Sequence, residues 1–414
     1  MRQISKDITY VGASHLTSAL CIITIQVFLA RTTDSSLFGL FLVSQAYVNL
    51  FEATAIARGG EVAIFCIGRS WDTTSEGKII LHGYANYLRS QELYWNFTVY
   101  LLLTLIAWPA SHFSSIDFLL SLLLGLAIPL QSSYGVSKGI IIASGKINLQ
   151  SLFEISYSLS LLTMVVLLTL IWGIQGTAIA YSLVALLKTY LAYLVAKRII
   201  GPSHHHATKP PWERLSYYSI LRNLAKNLAS QGDVLILGIL ALPSEIGMYK
   251  IARSLSNLSM RLADPMWSVL RPRFLAALRE QNLSRIHRLI FLPASGFMLV
   301  GYGIALPLLY FYAEPVIAIS YGPSYMEAAE LLIILFIGTW LHGAITGWLN
   351  FFLIISENKK LGSLLLITLS LSILLTSYLA GGDPRRVALG VSFSLIGISL
   401  VSWWLAFRTK YLIR

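Results

Sequence analysis

Apolar runs of about 20 residues recur along the whole chain, separated by charged residues, prolines and glycines. A helix of that length crosses the roughly 30 Å hydrocarbon core of a bilayer. The pattern predicts about twelve transmembrane helices, and the two over 223–241 and 246–270 are the weakest in hydropathy. The predicted spans are 9–30, 37–57, 93–110, 116–137, 150–171, 176–196, 223–241, 246–270, 289–311, 326–354, 361–380 and 387–407.

Composition agrees with this pattern, because 56% of the 414 residues are hydrophobic, only 12% are charged, and the mean hydropathy is +0.68. Soluble globular domains do not have this balance. Twelve spans leave almost no chain for a separate soluble domain, so function must reside within or between helices. Two cysteines, Cys21 and Cys66, are too few for a disulfide framework or a thiolate metal cluster, and we expect neither a metal nor a cofactor. The first apolar run lacks a small-residue cleavage site, and we expect it to be a retained span.

Lysine and arginine are distributed unequally between the two sides of the predicted membrane. Only Arg31, Arg385 and Arg386 fall in the loops of one side, four of the 31 fall inside spans, and all others share the side of both termini. The positive-inside rule then puts both termini in the cytoplasm of a multi-pass protein of the cytoplasmic (inner) membrane. The net charge of +12 is largely a topology signal and does not require a nucleic-acid partner.

The two halves of the chain resemble each other. Leu37 to Phe41 is similar to Glu245 to Tyr249, and Ser144 to Leu149 is similar to Ser356 to Leu361 at nearly the same offset. These matches predict a duplicated six-helix unit, related as a parallel repeat about the membrane normal, with chance similarity between apolar segments as the alternative. The predicted organisation is an N-terminal lobe over 1–199, a cytoplasmic linker over 200–218 and a C-terminal lobe over 219–414.

Several stretches carry a family resemblance. Asp233 to Gly238 with Glu245 to Ala252 resembles the seventh-to-eighth helix signature of polysaccharide and O-antigen flippases in the multidrug/oligosaccharidyl-lipid/polysaccharide (MOP) exporter superfamily. Ala30 to Phe41 and Trp172 to Ala180 resemble two further turns of that family. The resemblance implies an all-α integral membrane protein with two pseudo-symmetric six-helix lobes around a central cavity. It also implies alternating access and an undecaprenyl-pyrophosphate-linked oligosaccharide as cargo, without identifying the glycan or any site residue.

Polar residues form a stripe on the predicted eighth span. Their spacing confines them to an arc of about 80° on a helix, where ionisable groups in a membrane are expected to face a bundle interior or a hydrated cavity. The lysine, the two arginines and the asparagine would then bind an anionic cargo, and the aspartate is a gating, ion-pair or coupling candidate. Alternatively, the first lysine extends to the interface and the last two residues pair with each other. The members of the stripe are Lys250, Arg253, Asn257, Arg261 and Asp264.

Other ionisable residues also fall within spans. Asp233 lies deepest in the seventh span, so a partner such as Arg253 would offset its desolvation. It is either a structural ion pair or a coupling or gating site. Hydroxyls and amides in spans more often link helices than bind substrate. The remaining candidates are Lys188, Glu52 and Asn49 for substrate binding, and Glu154 and His342 for gating or coupling, with a packing role as the alternative for His342.

These observations together predict a flippase that carries a lipid-linked oligosaccharide from the cytoplasmic to the outer leaflet. Its partners would be that cargo, membrane lipid and the polymerase and assembly proteins of polysaccharide synthesis. The alternatives are a multidrug or cation-coupled exporter of the same superfamily, a peptidoglycan-type lipid-precursor flippase and a membrane enzyme of polysaccharide assembly. Short extracytoplasmic loops with few acids or histidines argue against the enzyme.

Overall fold

The computed structural model describes residues 2–69, 75–201, 215–264, 266–267, 270, 283–355 and 359–408, and within them the chain is almost entirely helical and forms no strand. The first half contains α1 (Arg2–Thr32), α2 (Ser35–Arg69), α3 (Ser75–Phe113), α4 (Phe118–Gly125), α5 (Ala127–Leu130), α6 (Tyr134–Ala143) and α7 (Ile147–Ile200). The second half contains α8 (Leu215–Leu240), α9 (Pro243–Ser256), α10 (Leu283–Val300), α11 (Leu306–Ser320), α12 (Ala328–Ile355), α13 (Lys359–Leu379) and α14 (Pro384–Arg408). A π-helical turn, Gly301–Ala305, joins α10 to α11, and a 3₁₀ turn, Pro323–Tyr325, precedes α12.

Eight helices of the described residues are long and apolar enough to cross a membrane, or nine if one bent pair is a single span. The 54-residue helix α7 would be about 80 Å long if straight, too long for one crossing. It breaks at Trp172 and Gly173 and supplies two spans. Helix α8, and α9 with the helical stretch 258–264, are the two that the sequence marks as weak in hydropathy. Neither of them is among those eight or nine, so the count of twelve spans stays a prediction, whereas the all-α membrane fold is confirmed.

The break in α7 follows from its glycines. Gly173 has φ +60°, a backbone conformation that L side chains rarely adopt. A Cβ on Gly176 would lie 2.0 Å from the Leu168 carbonyl oxygen, so the chain can turn back on itself only without a side chain there. The hydroxyls of Thr169 and Thr177 bond across the turn at 2.7 Å. The turn predicted within Trp172 to Ala180 is therefore present.

The predicted single span over 116–137 is wrong in detail. The structure has α4, α5 and α6 instead, with a bend of 43° between Phe118–Leu130 and Tyr134–Ala143. Pro129 has no N–H to donate and interrupts the helical hydrogen bonding, and the polar residues of 131–133 form the turn that follows. As a consequence Lys138, which the sequence placed in a cytoplasmic loop, lies in the middle of helix α6.

The chain divides into two compact units. The first comprises Met1–Ile25 and Leu40–Asn227, and the second comprises Gln26–Gly39 and Leu228–Arg414. The second unit thus includes the end of α1 and the start of α2. The lobes over 1–199 and 219–414 stay a prediction, and most of the predicted linker lies outside the described residues.

Within the second unit, the two repeated motifs of the sequence pack against each other. A Cβ on Gly39 would lie 1.8 Å from the Pro243 carbonyl oxygen, and one on Gly247 would lie 3.5 Å from the Phe38 ring. Near the end of α1, Arg31 donates hydrogen bonds to the carbonyl oxygens of Ser320 and Ile319 at the end of α11. Glycine at both motifs allows the close approach of the helices.

The π-helical turn between α10 and α11 packs on helix α12. The Trp340 ring stacks on Phe297 with centroids 4.4 Å apart, and its indole N–H donates to the Phe297 carbonyl oxygen at 2.8 Å. Gly301 faces the same indole, where a Cβ would lie 1.8 Å from Nε1. The altered hydrogen bonding of the turn, and the small residue at its start, accommodate the tryptophan.

Candidate functional site

Glu154 in the first half of α7 is the centre of an ionic cluster in the first unit. Its Oε1 accepts hydrogen bonds from the Tyr134 hydroxyl at 2.7 Å, the Gln150 amide at 2.9 Å and the Lys138 ammonium at 3.2 Å. Its Oε2 accepts from the Lys188 ammonium at 3.1 Å. One carboxylate therefore holds two lysines inside membrane-spanning helices.

Aromatic rings complete the surroundings of Lys188. Its Nζ lies 4.1 Å from the Tyr134 ring centroid and 4.0 Å from the Tyr157 ring centroid. Cation–π contacts at such distances contribute about 0.5–2 kcal/mol each, more as the charge loses water. The Lys188 side chain is 10% exposed, whereas those of Lys138 and Glu154 are 36% and 27% exposed. The cluster is therefore accessible from outside at Lys138 and buried at Lys188.

A polar cavity of about 80 Å³ lies within the first unit. Helix α2 contributes three polar residues on one face, and the Gln131 amide donates to Glu52 Oε1 at 3.1 Å across the cavity. A space of this size, lined by polar side chains, is large enough for several water molecules. Its polar lining residues are Gln45, Asn49, Glu52, Gln131, Tyr157 and Tyr181. Tyr157 thus joins the cavity to the Glu154 cluster.

The second unit has its own buried ionic cluster, centred on Asp233 of α8. Arg253 Nε lies 3.0 Å from Asp233 Oδ2, and the two side chains are 3% and 0% exposed. The Tyr249 hydroxyl donates to the same oxygen at 2.6 Å. Lys250 donates to Gln231 Oε1 at 2.6 Å and is also buried. The ion pair that the sequence suggested between α8 and α9 is present.

The remaining residues of the predicted stripe on the eighth span separate in the structure. Helix α9 ends before Asn257, which is half-buried, and the helical stretch 258–264 follows. Arg261 and Asp264 are exposed. His342 of α12 is buried, and its Nδ1 lies 3.1 Å from the Ser399 hydroxyl of α14. Only Lys250 and Arg253 of the stripe therefore belong to the buried cluster.

Sequence reasoning missed several residues that the structure adds to these clusters. Lys138 and Tyr134 were missed because the bend after α5 was not predicted, although Pro129 and the polar residues after it are a signal for one. Gln150 lies one turn before Glu154 on α7, so i, i+4 spacing could have found it. Tyr249 stands within a motif that was used only for the internal repeat and the family resemblance. Gln150 and Tyr249 were not singled out because hydroxyls and amides are frequent in spans.

Comparisons with known proteins bear on this arrangement. A family model described as polysaccharide biosynthesis protein matches residues 95–278, which contain both ionic clusters. No curated protein matches the chain in sequence. Among solved structures, a MOP superfamily transporter from Pyrococcus furiosus aligns over 99% of this chain and 97% of its own, at 16% identity and a TM-score of 0.64. The chain has the fold of a MOP-superfamily transporter.

Two further MOP-fold structures are similar over nearly the whole chain. An inward-facing multidrug resistance transporter of the MATE family aligns over 96% of this chain and 97% of its own, at 14% identity and a TM-score of 0.71. The lipid II flippase MurJ aligns over 98% of this chain and 87% of its own, at 14% identity and a TM-score of 0.71. The fold that the resemblance implies is confirmed, and the chain is a multi-pass membrane protein of that fold.

Proposed function

We propose that this chain is a flippase that moves a polyprenyl-pyrophosphate-linked oligosaccharide from the cytoplasmic to the outer leaflet by alternating access. The observation that carries the proposal is the match of residues 95–278 to polysaccharide biosynthesis proteins, on a chain with a transporter fold. The flippase activity named for the MurJ structure supports lipid-linked cargo. In this proposal the chain is a transporter of the cytoplasmic membrane with both termini inside, and it has no enzymatic reaction of its own.

Membrane-embedded cations fit such a cargo. Moving even one phosphate charge into hydrocarbon costs on the order of 10 kcal/mol or more, so the headgroup needs a polar path with positive charge. Lys138 and Lys188 in the first unit supply ammonium groups inside spans, where lysine is otherwise rare. The prenyl chain can stay in the lipid while the pyrophosphate and sugars pass. The amides and hydroxyls of the polar cavity suit sugar hydroxyl groups.

The cavity also supports a second candidate function. Glu52 lies beside the rings of Tyr157 and Tyr181, and a carboxylate with aromatic neighbours also suits an organic cation. The similarity to a multidrug resistance transporter is a likeness of fold and is compatible with this alternative. Lysines at the adjoining Glu154 cluster favour the anionic cargo instead. Polysaccharide polymerase and assembly proteins are the partners we propose for the flippase.

Reconstitution of the full chain in proteoliposomes tests the proposal. A fluorescent undecaprenyl-pyrophosphate oligosaccharide would be added to wild type, to Lys188→Met and to the control Lys146→Met, whose lysine is exposed in the turn before α7. We expect flipping by wild type and the control, and at least a tenfold slower rate for Lys188→Met. Transport of a cationic drug, with no flipping of any of several lipid-linked oligosaccharides, would contradict the flippase proposal and support the exporter.

A further inference from the structure

The four groups around Glu154 form a cage of hydrogen-bond donors. They come from three helical segments, namely α6 and the two halves of α7, and all converge on one carboxylate. Two donors are ammonium groups, one is a hydroxyl and one is an amide. Lysine ammonium groups donate only, and phosphate oxygens accept only at neutral pH when fully ionised. The cage is therefore built for an oxyanion, and the protein's own glutamate occupies it.

Access to the cage is open on one side. The side chains of Lys138 and Glu154 are 36% and 27% exposed, while Lys188 is fixed between two tyrosine rings. The side chain of Glu154 is flexible, so its carboxylate can rotate out of the cage while the backbone of α7 stays in place. The fixed ammonium and the Tyr134 hydroxyl would remain in place for an incoming anion.

We propose that this donor cage is a phosphate-binding site, and that Glu154 fills it as an internal counter-anion until a phosphate group replaces it. The proposal rests on the proposed function in one respect, since it names the pyrophosphate of a prenyl-linked cargo as the source of that phosphate. It assigns Lys138, Lys188, Tyr134 and Gln150 as ligands. Glu154 is a positioning residue that competes with the cargo.

An internal competitor has a physical advantage in a transporter. Two lysines within a membrane need a counter-charge when the site is empty, because an unpaired buried ion is costly. Exchange of a carboxylate for a phosphate keeps both lysines paired during loading and unloading. A site that must first release its own carboxylate also binds more weakly than a vacant one, which favours release of the cargo.

Binding of inorganic pyrophosphate to the full chain in nanodiscs of neutral lipid provides the test, with isothermal titration calorimetry as the measurement. Glu154→Gln should bind pyrophosphate about tenfold more tightly than wild type, because the competing charge is removed. Lys188→Met should lose at least tenfold in affinity, and the further change Glu154→Gln should not restore it. Glu314→Gln, which alters an exposed glutamate of α11, should match wild type.

Two added arms separate the source of the phosphate and protect against a folding failure. Geranyl pyrophosphate should displace inorganic pyrophosphate from Glu154→Gln, and failure to displace it would overturn the assignment of prenyl-linked cargo. If Glu154→Gln does not fold, Glu154→Asp retracts the carboxylate by one methylene and should bind pyrophosphate more tightly than wild type. A folded Glu154 variant with unchanged pyrophosphate affinity would show a purely structural ion cluster and overturn the proposal.

The experiments distinguish an error in the phosphate-site proposal from an error in the flippase proposal. If wild type flips a lipid-linked oligosaccharide while the Glu154 variants bind pyrophosphate no more tightly, the flippase stands and the phosphate site is wrong. If the Glu154 variants bind geranyl pyrophosphate tightly while wild type flips no oligosaccharide, the site stands and the oligosaccharide cargo is wrong.

Discussion

Arg253 Nε lies 3.0 Å from Asp233 Oδ2, and almost no surface of either side chain is exposed. Removal of one partner of a buried ion pair leaves an uncompensated charge, at a cost of about 3–5 kcal/mol. The pair links α8 to α9 within the second unit, so it contributes to the fold of that unit whatever its role in transport.

We therefore expect Arg253→Ala to lower the free energy of unfolding by about 3–5 kcal/mol. Arg261→Ala, eight residues farther along and exposed, should change it by no more than about 0.5 kcal/mol. Unfolding of the purified protein in detergent, followed by circular dichroism, measures both. Equal stability of Arg253→Ala and wild type would mean that the ion pair contributes nothing to folding.

The Glu154 cluster should show strong energetic coupling between its members. We expect a double-mutant cycle of Glu154→Gln and Lys188→Met to give a coupling energy of about 1–3 kcal/mol in unfolding, because the two groups bond directly at 3.1 Å. The same cycle with Lys146→Met in place of Lys188→Met should give a value near zero. Additive effects of Glu154→Gln and Lys188→Met would show that the 3.1 Å contact is energetically unimportant.

Gly301 should not tolerate a side chain. A Cβ there would meet the indole nitrogen of Trp340 at 1.8 Å, so Gly301→Ala must displace the tryptophan and its hydrogen bond to Phe297. We expect a loss of about 1–3 kcal/mol in stability, measured by thermal unfolding. Gly303→Ala is the matched control, since the nearest side-chain atom, of Leu299, would be 3.9 Å away. An equal effect of the two substitutions would contradict this account of the π-helical turn.

Membrane orientation gives a further prediction. In a background with Cys21 and Cys66 replaced by serine, Lys146→Cys should react with a membrane-impermeant maleimide only in broken cells, whereas Arg386→Cys should react in intact cells. The reason is the unequal distribution of lysine and arginine between the two sides. Both positions are exposed in the folded chain. Labelling of Lys146→Cys from outside would reverse the proposed topology.

Much of the fold was predictable because lipid imposes a simple rule on length and polarity. The turn at Gly173 and the polar face of α2 follow from local sequence, since glycine spacing and helical periodicity are readable within one segment. The bend before Tyr134 was missed, and with it Lys138, because a proline in a long apolar run either kinks a helix or is tolerated in it. The convergence of Lys138 and Lys188 on Glu154 depends on how three helical segments pack. That packing cannot be predicted from the sequence of any one of them.

The contact of Gly39 with Pro243 cannot form until late in the synthesis of the chain. The two residues are about 200 positions apart, and at a synthesis rate of roughly 5–20 residues per second the first waits about 10–40 s for the second. During that interval the end of α1 and the start of α2 are already in the bilayer without the helices of the second unit that they pack against. The nascent chain therefore carries these two helix ends without their packing partners until α9 has been synthesised.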